Sequence, residues 1–88
     1  MRVTISPRAE KQLKQVSKVD QISIAKKIRE LGSAKRDAKA EKLQGFHHIY
    51  RVRIGNYRLV YKKTSKELYL ILIGHRKDIY RLLRRFFN

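Results

Sequence analysis

Tyr50-Arg51-Val52-Arg53-Ile54-Gly55-Asn56-Tyr57-Arg58-Leu59-Val60-Tyr61 decides how this chain folds. Two alternating runs flank Gly55-Asn56, a pair that supplies the positive backbone angles demanded by a two-residue hairpin turn. With the turn there, Ile54 faces Tyr57, Arg53 faces Arg58, Val52 faces Leu59 and Arg51 faces Val60. Successive side chains leave a strand on opposite faces. One face therefore carries Tyr50, Val52, Ile54, Tyr57, Leu59 and Tyr61, a surface ready for a core. The other carries Arg51, Arg53 and Arg58. Like charges directly opposite each other weaken a ladder, so the Arg53/Arg58 pairing calls for a reason, and a bound polyanion supplies one.

Downstream of the hairpin, Lys62 to Glu67 reads as a longer turn. Leu68-Tyr69-Leu70-Ile71-Leu72-Ile73 is apolar without alternation, as in a strand that is central or covered on both faces. After Gly74-His75-Arg76, the spacing of Ile79, Leu82, Leu83 and Phe86 predicts an amphipathic helix with Arg81, Arg84 and Arg85 outward. Upstream, residues 33–45 read as a basic surface loop with one apolar anchor, Leu43. Arg2 to Ile5 reads as a short strand. Ser6 and Pro7 suit the cap and first position of a helix whose inner face is Ala9, Leu13 and Val16. Asp20 is the expected cap of a second helix, with Ile24, Ala25, Ile28 and Leu31 as its stripe. Gly32 is expected to end it in the left-handed conformation. The order β-α-α-β-β-β-α predicts an α+β fold: a small, twisted, mainly antiparallel sheet with an N-terminal helical hairpin on one face and a C-terminal helix.

The 88 residues are enough for one modest core, and a single domain over 1–88 is expected. A hydrophobic content of 42% with clear periodicity separates the chain from a disordered basic tail. The net charge of +16 attracts phosphate backbones or an acidic protein. There is no cysteine, hence no disulfide or thiolate chemistry. No apolar run approaches the ~20 residues that span a bilayer, and Met1-Arg2-Val3-Thr4-Ile5 is interrupted too early for a signal peptide. No membrane association and a cytoplasmic location are the expectation. The three histidines lack metal-ligand spacing, so neither a metal nor another cofactor is expected.

A second cluster, Gly74-His75-Arg76-Lys77-Asp78-Ile79-Tyr80, lies where the apolar strand hands the chain to the last helix. Tyr80 sits one position round from Ile79, at the boundary of core and solvent. An aromatic ring beside arginines suits single-stranded nucleic acid, which offers a phosphate and a base face together. Any one arginine is ordinarily a solubilising charge, and Asp78 is expected to serve as a cap or dipole partner. The cross-strand register, not the arginine count, lifts this face above that reading.

These two clusters, with the Lys42-Leu43-Gln44-Gly45 step before the hairpin, resemble the RelE branch of the RelE/ParE toxin superfamily. The resemblance spans the whole chain in element order and is most specific over residues 42–80. It implies the toxin of a type II toxin–antitoxin pair: a metal-independent endoribonuclease that enters the ribosomal A site and cleaves mRNA by 2′-hydroxyl attack. It also implies a cognate antitoxin that masks the site, and the ribosome and mRNA as further partners. By resemblance the site residues fall on Arg51, Arg53, Arg58, Arg76 and Tyr80, with RNA-binding charges on Lys62, Lys77, Arg81 and Arg84.

Well-studied members of that branch resemble Tyr-Lys-x-Lys where this chain has Tyr50-Arg51-Val52-Arg53. Arginine stays protonated and cannot act as a base, but it can neutralise the scissile phosphate and the growing transition-state charge. For proton transfer, His75 is the group near the site that titrates near neutrality. Strand alternation puts it on the face of Tyr69, Ile71 and Ile73, pointing toward the core edge or toward Arg76. Either His75 or Tyr80 is expected to assist, or the ribosome and mRNA supply the proton chemistry. The alternative function is that of the ParE side of the superfamily, which resembles this fold and inhibits DNA gyrase by binding. A basic RNA-binding domain without activity is the third reading.

Overall fold

The computed structural model describes residues 1–33 and 39–87. The elements are β1 (Arg2–Ile5), α1 (Pro7–Gln15), α2 (Lys18–Leu31), β2 (Glu41–Lys42), β3 (Ile49–Ile54), β4 (Tyr57–Lys63), β5 (Glu67–His75) and α3 (Ile79–Phe87). They form an α+β fold around a five-stranded sheet ordered β1-β5-β4-β3-β2. β1 runs parallel to β5 and the remaining pairs are antiparallel. The two-residue β2, pairing Glu41 with Arg51 and Lys42 with Tyr50, is one strand more than the sequence pattern contains. The expectation of a basic loop over 33–45 is corrected to that extent, and its residues 34–38 lie outside the described residues.

The β3–β4 hairpin has the expected register from Ile54↔Tyr57 to Arg51↔Val60. Only Gly55 takes a positive φ, 57°, while Asn56 does not. That is the pattern of a type II′ turn, with glycine at the first central position, rather than a turn with both residues left-handed.

The sheet faces two ways. On one side, Val52, Leu59, Tyr61, Leu68, Leu70 and Ile73 pack with Ala9, Ile24, Ile28 and Leu31 of α1 and α2. On the other, Val60, Ile71 and Leu72 pack with Ile79 of α3, and Leu82, Leu83 and Phe87 add to the cluster. The unbroken apolar run of β5 serves both clusters through a bulge. Val60 pairs with Leu72 but Tyr61 pairs with Leu70, so Ile71 is the extra residue. A bulge sends two successive side chains to one face and inverts the alternation beyond it. This corrects the expected facing of His75, which lies on the side of Ile73, Leu70 and Leu68 rather than that of Tyr69 and Ile71.

β1 covers β5 only as far as the Ile5–Leu70 pair. Helix α1 satisfies the backbone edge beyond it. The Ser6 amide donates to the Leu70 carbonyl at 2.9 Å. The Ser6 hydroxyl donates to the Ile71 carbonyl at 2.8 Å and accepts from the Ala9 amide at 3.0 Å, so one buried side chain caps the helix and pairs the bulge. The Ile73 amide donates to the Gln12 side-chain carbonyl at 2.8 Å. Leaving such buried groups unpaired would cost roughly 1–3 kcal/mol each.

Two expectations about α2 are corrected. Its cap is Ser17, whose hydroxyl accepts from the Asp20 amide at 3.2 Å and donates to the Asp20 carboxylate at 2.9 Å, so Asp20 sits in the first turn. Gly32 is right-handed, with φ −75° and ψ −9°. It is small for a different reason: a Cβ there would lie 2.7 Å from Val3 Cγ2 of β1. The carbonyl of Leu31 at the α2 C-terminus accepts from Lys63 Nζ at 2.9 Å, a cation where the helix dipole favours one.

Candidate functional site

The outer face of the hairpin carries Arg51 and Arg53 from β3 and Arg58 from β4, with Arg53 and Arg58 as direct cross-strand partners. Next to them on β5 is Gly74, the partner of Arg58. A Cβ at Gly74 would sit 3.0 Å from both Ile79 Cδ1 and Leu82 Cδ1. The missing side chain lets α3 settle onto the sheet at this point, which sets the reach of Tyr80. The β5–α3 connection is tied to the hairpin turn, since the Arg76 amide donates to the Asn56 carbonyl at 2.7 Å. The second cluster of the sequence is thereby fixed against the first.

Tyr80 lies over Arg51. One Arg51 nitrogen donates to the Tyr80 hydroxyl at 2.6 Å, and the guanidinium carbon stands 5.4 Å from the ring centroid. The other terminal nitrogen meets the Glu41 carboxylate at 2.7 Å. Arg58 folds back on the turn, donating to the carbonyls of Tyr57 at 2.9 Å and Gly55 at 3.3 Å. Partial burial, then the neighbouring guanidinium of Arg53, pulls the Arg58 pKa below its ordinary value. Arg51 and Arg76 add to this and Tyr80 opposes it. Arg58 thus feels Arg51, Arg53, Arg76 and Tyr80 together, and a guanidinium so placed remains a cation that benefits from an anion.

The other candidates divide. Arg84 lines a cleft with Tyr80. Arg81 turns the opposite way, pairs with Asp78 at 3.3 Å and lines a cleft beside α1. Lys77 is exposed, and its amide donates to His75 Nδ1 at 3.1 Å. Lys62 shares the outer face but lies four residues along β4 from Arg58, roughly 13 Å at strand rise. His75 is not with the arginines. Its Cα pairs with Tyr57, their rings meet edge-on at 5.6 Å, and it lines the α1 cleft on the sheet's other side.

The residue missing from the sequence reading is Glu41, the carboxylate that engages the cluster. Its signal was a lone acid ahead of Lys42-Leu43 in a basic stretch, and only the β2–β3 pairing turns it toward Arg51. Among the described residues, no group of three histidine, aspartate or glutamate side chains gathers as a metal site would.

The chain is thus a basic α+β domain with one sheet face sealed by a helical hairpin and with guanidiniums gathered beside a tyrosine on the other. Residues 3–80 match the family described as the ParE toxin of the type II toxin–antitoxin system parDE, and the chain belongs to that family. Its similarities point to the RelE branch. It is 38% identical over 40 residues to Toxin RelE3 of Methanocaldococcus jannaschii, a match that spans 46% of this chain and 46%, just under half, of that protein. In the RelB–RelE antitoxin–toxin complex from Methanococcus jannaschii, a chain superposes with a TM-score of 0.75 at 27% identity, covering 90% of this chain and 96% of that one. The isolated RelE toxin of E. coli shares the fold, with a TM-score of 0.73 at 22% identity over 99% of this chain and 98% of its own.

Proposed function

We propose that this toxin is a ribosome-dependent mRNA endonuclease, cleaving in the A site without a metal or other cofactor. The observation that carries the reading is the gathering of Arg51, Arg53, Arg58 and Tyr80 on one face, drawn from three separate elements, with Arg76 on the turn that its amide ties to Asn56. The ribose 2′-oxygen attacks the adjacent phosphorus, the bond to the 5′-oxygen breaks, and a cyclic phosphate and a 5′-hydroxyl result. Arginines on the phosphate oxygens offset the charge that accumulates in the pentavalent transition state. The proton from the 2′-hydroxyl goes to a group beside the phosphate and returns to the leaving oxygen. Glu41 and Tyr80, both bonded to Arg51, suit that transfer by position. His75, on the other face, fits a supporting role under the Tyr57 ring.

Outside the catalytic centre, Arg84 is placed to extend the RNA track, with Lys62, Lys77 and Arg81 as more distant charges. The similar toxin chains occur in complexes with RelB antitoxins. With a charge of +16, this chain fits a cognate antitoxin with an acidic binding segment, in a toxin–antitoxin hetero-oligomer. Action on ribosomes places the molecule in the cytoplasm.

A second reading has its own support, because the matching family carries the ParE name: inhibition of DNA gyrase by binding. One experiment separates the two. The toxin is made in a cell-free translation system, mRNA 5′ ends are mapped with and without ribosomes, and gyrase supercoiling is assayed alongside. Ribosome-dependent cuts at A-site codons that vanish in Arg76→Ala support the nuclease. Intact mRNA with inhibited gyrase overturns it.

A further inference from the structure

Three successive backbone amides join β5 to α3, those of Arg76, Lys77 and Asp78, and each has an acceptor. The Arg76 amide donates to the Asn56 carbonyl of the hairpin turn at 2.7 Å, and the Asp78 amide to the His75 carbonyl at 2.8 Å. Between them, the Lys77 amide donates to the His75 ring, at Nδ1, over 3.1 Å. His75 thus supplies two of the three acceptors. A side chain that accepts from the amide two residues on is the device by which asparagine and aspartate fix turns, and here an imidazole makes the same bond. We propose that His75 is the positioning residue of this turn, and that protonation of its ring loosens the segment that carries Arg76 and launches α3 with Tyr80. The effect on cleavage rests on the nuclease reading, whereas the hydrogen bond that transmits it does not.

The geometry requires one protonation state. A backbone N–H can only donate, so Nδ1 must be bare and the ring proton must sit on Nε2. A second proton, taken from solvent, goes to Nδ1; two donors then face each other and the bond is lost. Histidine is the side chain that makes this change between about pH 5 and 8. The ring is half-buried and meets the Tyr57 ring of β4 edge-on, with centroids 5.6 Å apart. From α1, Gln12, Gln15 and Val16 line the cleft of about 250 Å³ that His75 shares, and none of them is charged. The charged side chains lining it, among the described residues, are Asp78 and Arg81, which pair with each other at 3.3 Å. Arg76 and Lys77 follow His75 in the turn, both exposed, so a charged imidazole becomes the third cation in a row.

The turn leads directly to the residues of the site. Arg76 lies between two tied amides. The Asp78 carbonyl accepts from the Leu82 amide at 3.0 Å, closing the first turn of α3. Tyr80 belongs to that turn and reaches the Arg51 guanidinium at 2.6 Å. A change at the Lys77 amide is therefore passed to both groups, and misplacing a positioned group by about 1 Å can cost roughly a hundredfold in rate.

Solution NMR of the purified, isotope-labelled toxin reads the bond itself. A through-bond coupling between the Lys77 amide nitrogen and His75 Nδ1 is expected when the ring is neutral. It should vanish, and the Lys77 amide resonance should move, as the ring takes up its proton. A ring that titrates while the Lys77 amide stays unmoved overturns the proposal. Ribosomal cleavage is then followed from about pH 6 to 8, on one ribosome preparation, for the unmodified toxin and three variants. His75→Asn keeps an acceptor where Nδ1 stood and cannot be protonated, so it should hold cleavage within about threefold at the upper pH and lack the acid loss of the unmodified toxin. His75→Ala has no acceptor, and His75→Gln carries its own one bond further out. Both should fall about tenfold across the range. Thermal melting checks that each variant is folded, and the NMR titration decides if one is not. A folded His75→Asn protein that falls as far as His75→Ala, or that keeps the acid loss, overturns the positioning role. The NMR link without cleavage at any pH sinks the nuclease reading and leaves the turn bond, and cleavage without the link does the reverse.

Discussion

The two faces of this sheet are made by the same strands and do opposite work. On the helical-hairpin side, alternate residues of β3, β4 and β5 are sealed under α1 and α2, with Val52, Leu59, Leu68 and Leu70 fully buried. On the other side, α3 packs on Ile71 and Leu72 of β5 and Val60 of β4, and the turn end of the hairpin carries Arg51, Arg53 and Arg58, with Tyr80 over Arg51. The first face lowers free energy by removing apolar surface from water. The second holds like charges in register, Arg53 opposite Arg58, at a cost in stability, and in the proposed function that cost goes to a phosphate site formed in advance. The strand period of two lets one sequence write both, since the sealed apolar side chains and the arginines occupy alternate residues of the hairpin.

If that division holds, substitutions should separate cleanly into those that unfold the toxin and those that silence it. Leu59→Ala acts on the sealed face, and it should lower unfolding free energy by about 2–5 kcal/mol in urea titration, with cleavage lost only through lost folded protein. Arg58→Ala acts on the open face. Ribosomal cleavage should fall by about 10²–10³, equivalent to about 3–4 kcal/mol of transition-state stabilisation. The melting temperature should stay the same or rise. A large loss of stability in Arg58→Ala would break the comparison, because its contacts with the turn carbonyls would then outweigh the repulsion from Arg53.

Gly74→Ala tests the seam between the faces. The added Cβ meets Ile79 Cδ1 and Leu82 Cδ1 at 3.0 Å, so these side-chain tips, and α3 with them where they cannot turn aside, must give by a few tenths of an ångström. Overpacking of this kind costs about 1–3 kcal/mol. The sharper expectation is on activity: as α3 moves, Tyr80 leaves Arg51, and cleavage should fall about tenfold beyond what the lost stability explains. Hydrogen exchange confined to α3, with the β3–β4 amides unchanged, would confirm that the sheet itself is intact.

Much of this was legible in the sequence, where one physical rule acts alone. Gly55 flanked by alternating runs fixes the hairpin register, and with it the opposition of Arg53 and Arg58. The spacing of Ile79, Leu82, Leu83 and Phe86 locates α3, and its first three members give the buried side, while Phe86 is exposed and Phe87 packs on the cluster instead. The failures share a cause: they sit where two rules give the same pattern. In Leu68–Ile73 both parities are apolar, so a bulge at Ile71 leaves no mark, and the facing of His75 inverts unseen. Ser17 and Asp20 are both good caps three residues apart, and only the helix start decides between them. Gly32 looks like a left-handed terminator but is required by Val3, a contact between distant parts of the chain. Glu41 was invisible as a site residue because a two-residue strand is too short for any period, and its pairing with Arg51 exists only in the folded sheet.

The smallest expected effect has the opposite sign. Arg53 is exposed, faces Arg58 directly, and is the largest charge acting on Arg58. Like charges so paired cost roughly 0.2–1 kcal/mol, and Arg53→Gln removes that repulsion while keeping a long polar side chain on the strand. The variant should therefore gain a few tenths of a kcal/mol in urea titration at low ionic strength. The gain should shrink in 1 M salt, where a Debye length of about 3 Å screens the pair in the unmodified toxin as well. Under the proposed function its cleavage should fall even so, because the phosphate site would lose one donor. A variant that is more stable and less active ties the cost of the open face to its use. An Arg53→Gln protein that loses both stability and activity would show the guanidinium to be held by structure, and the two faces would no longer differ in kind.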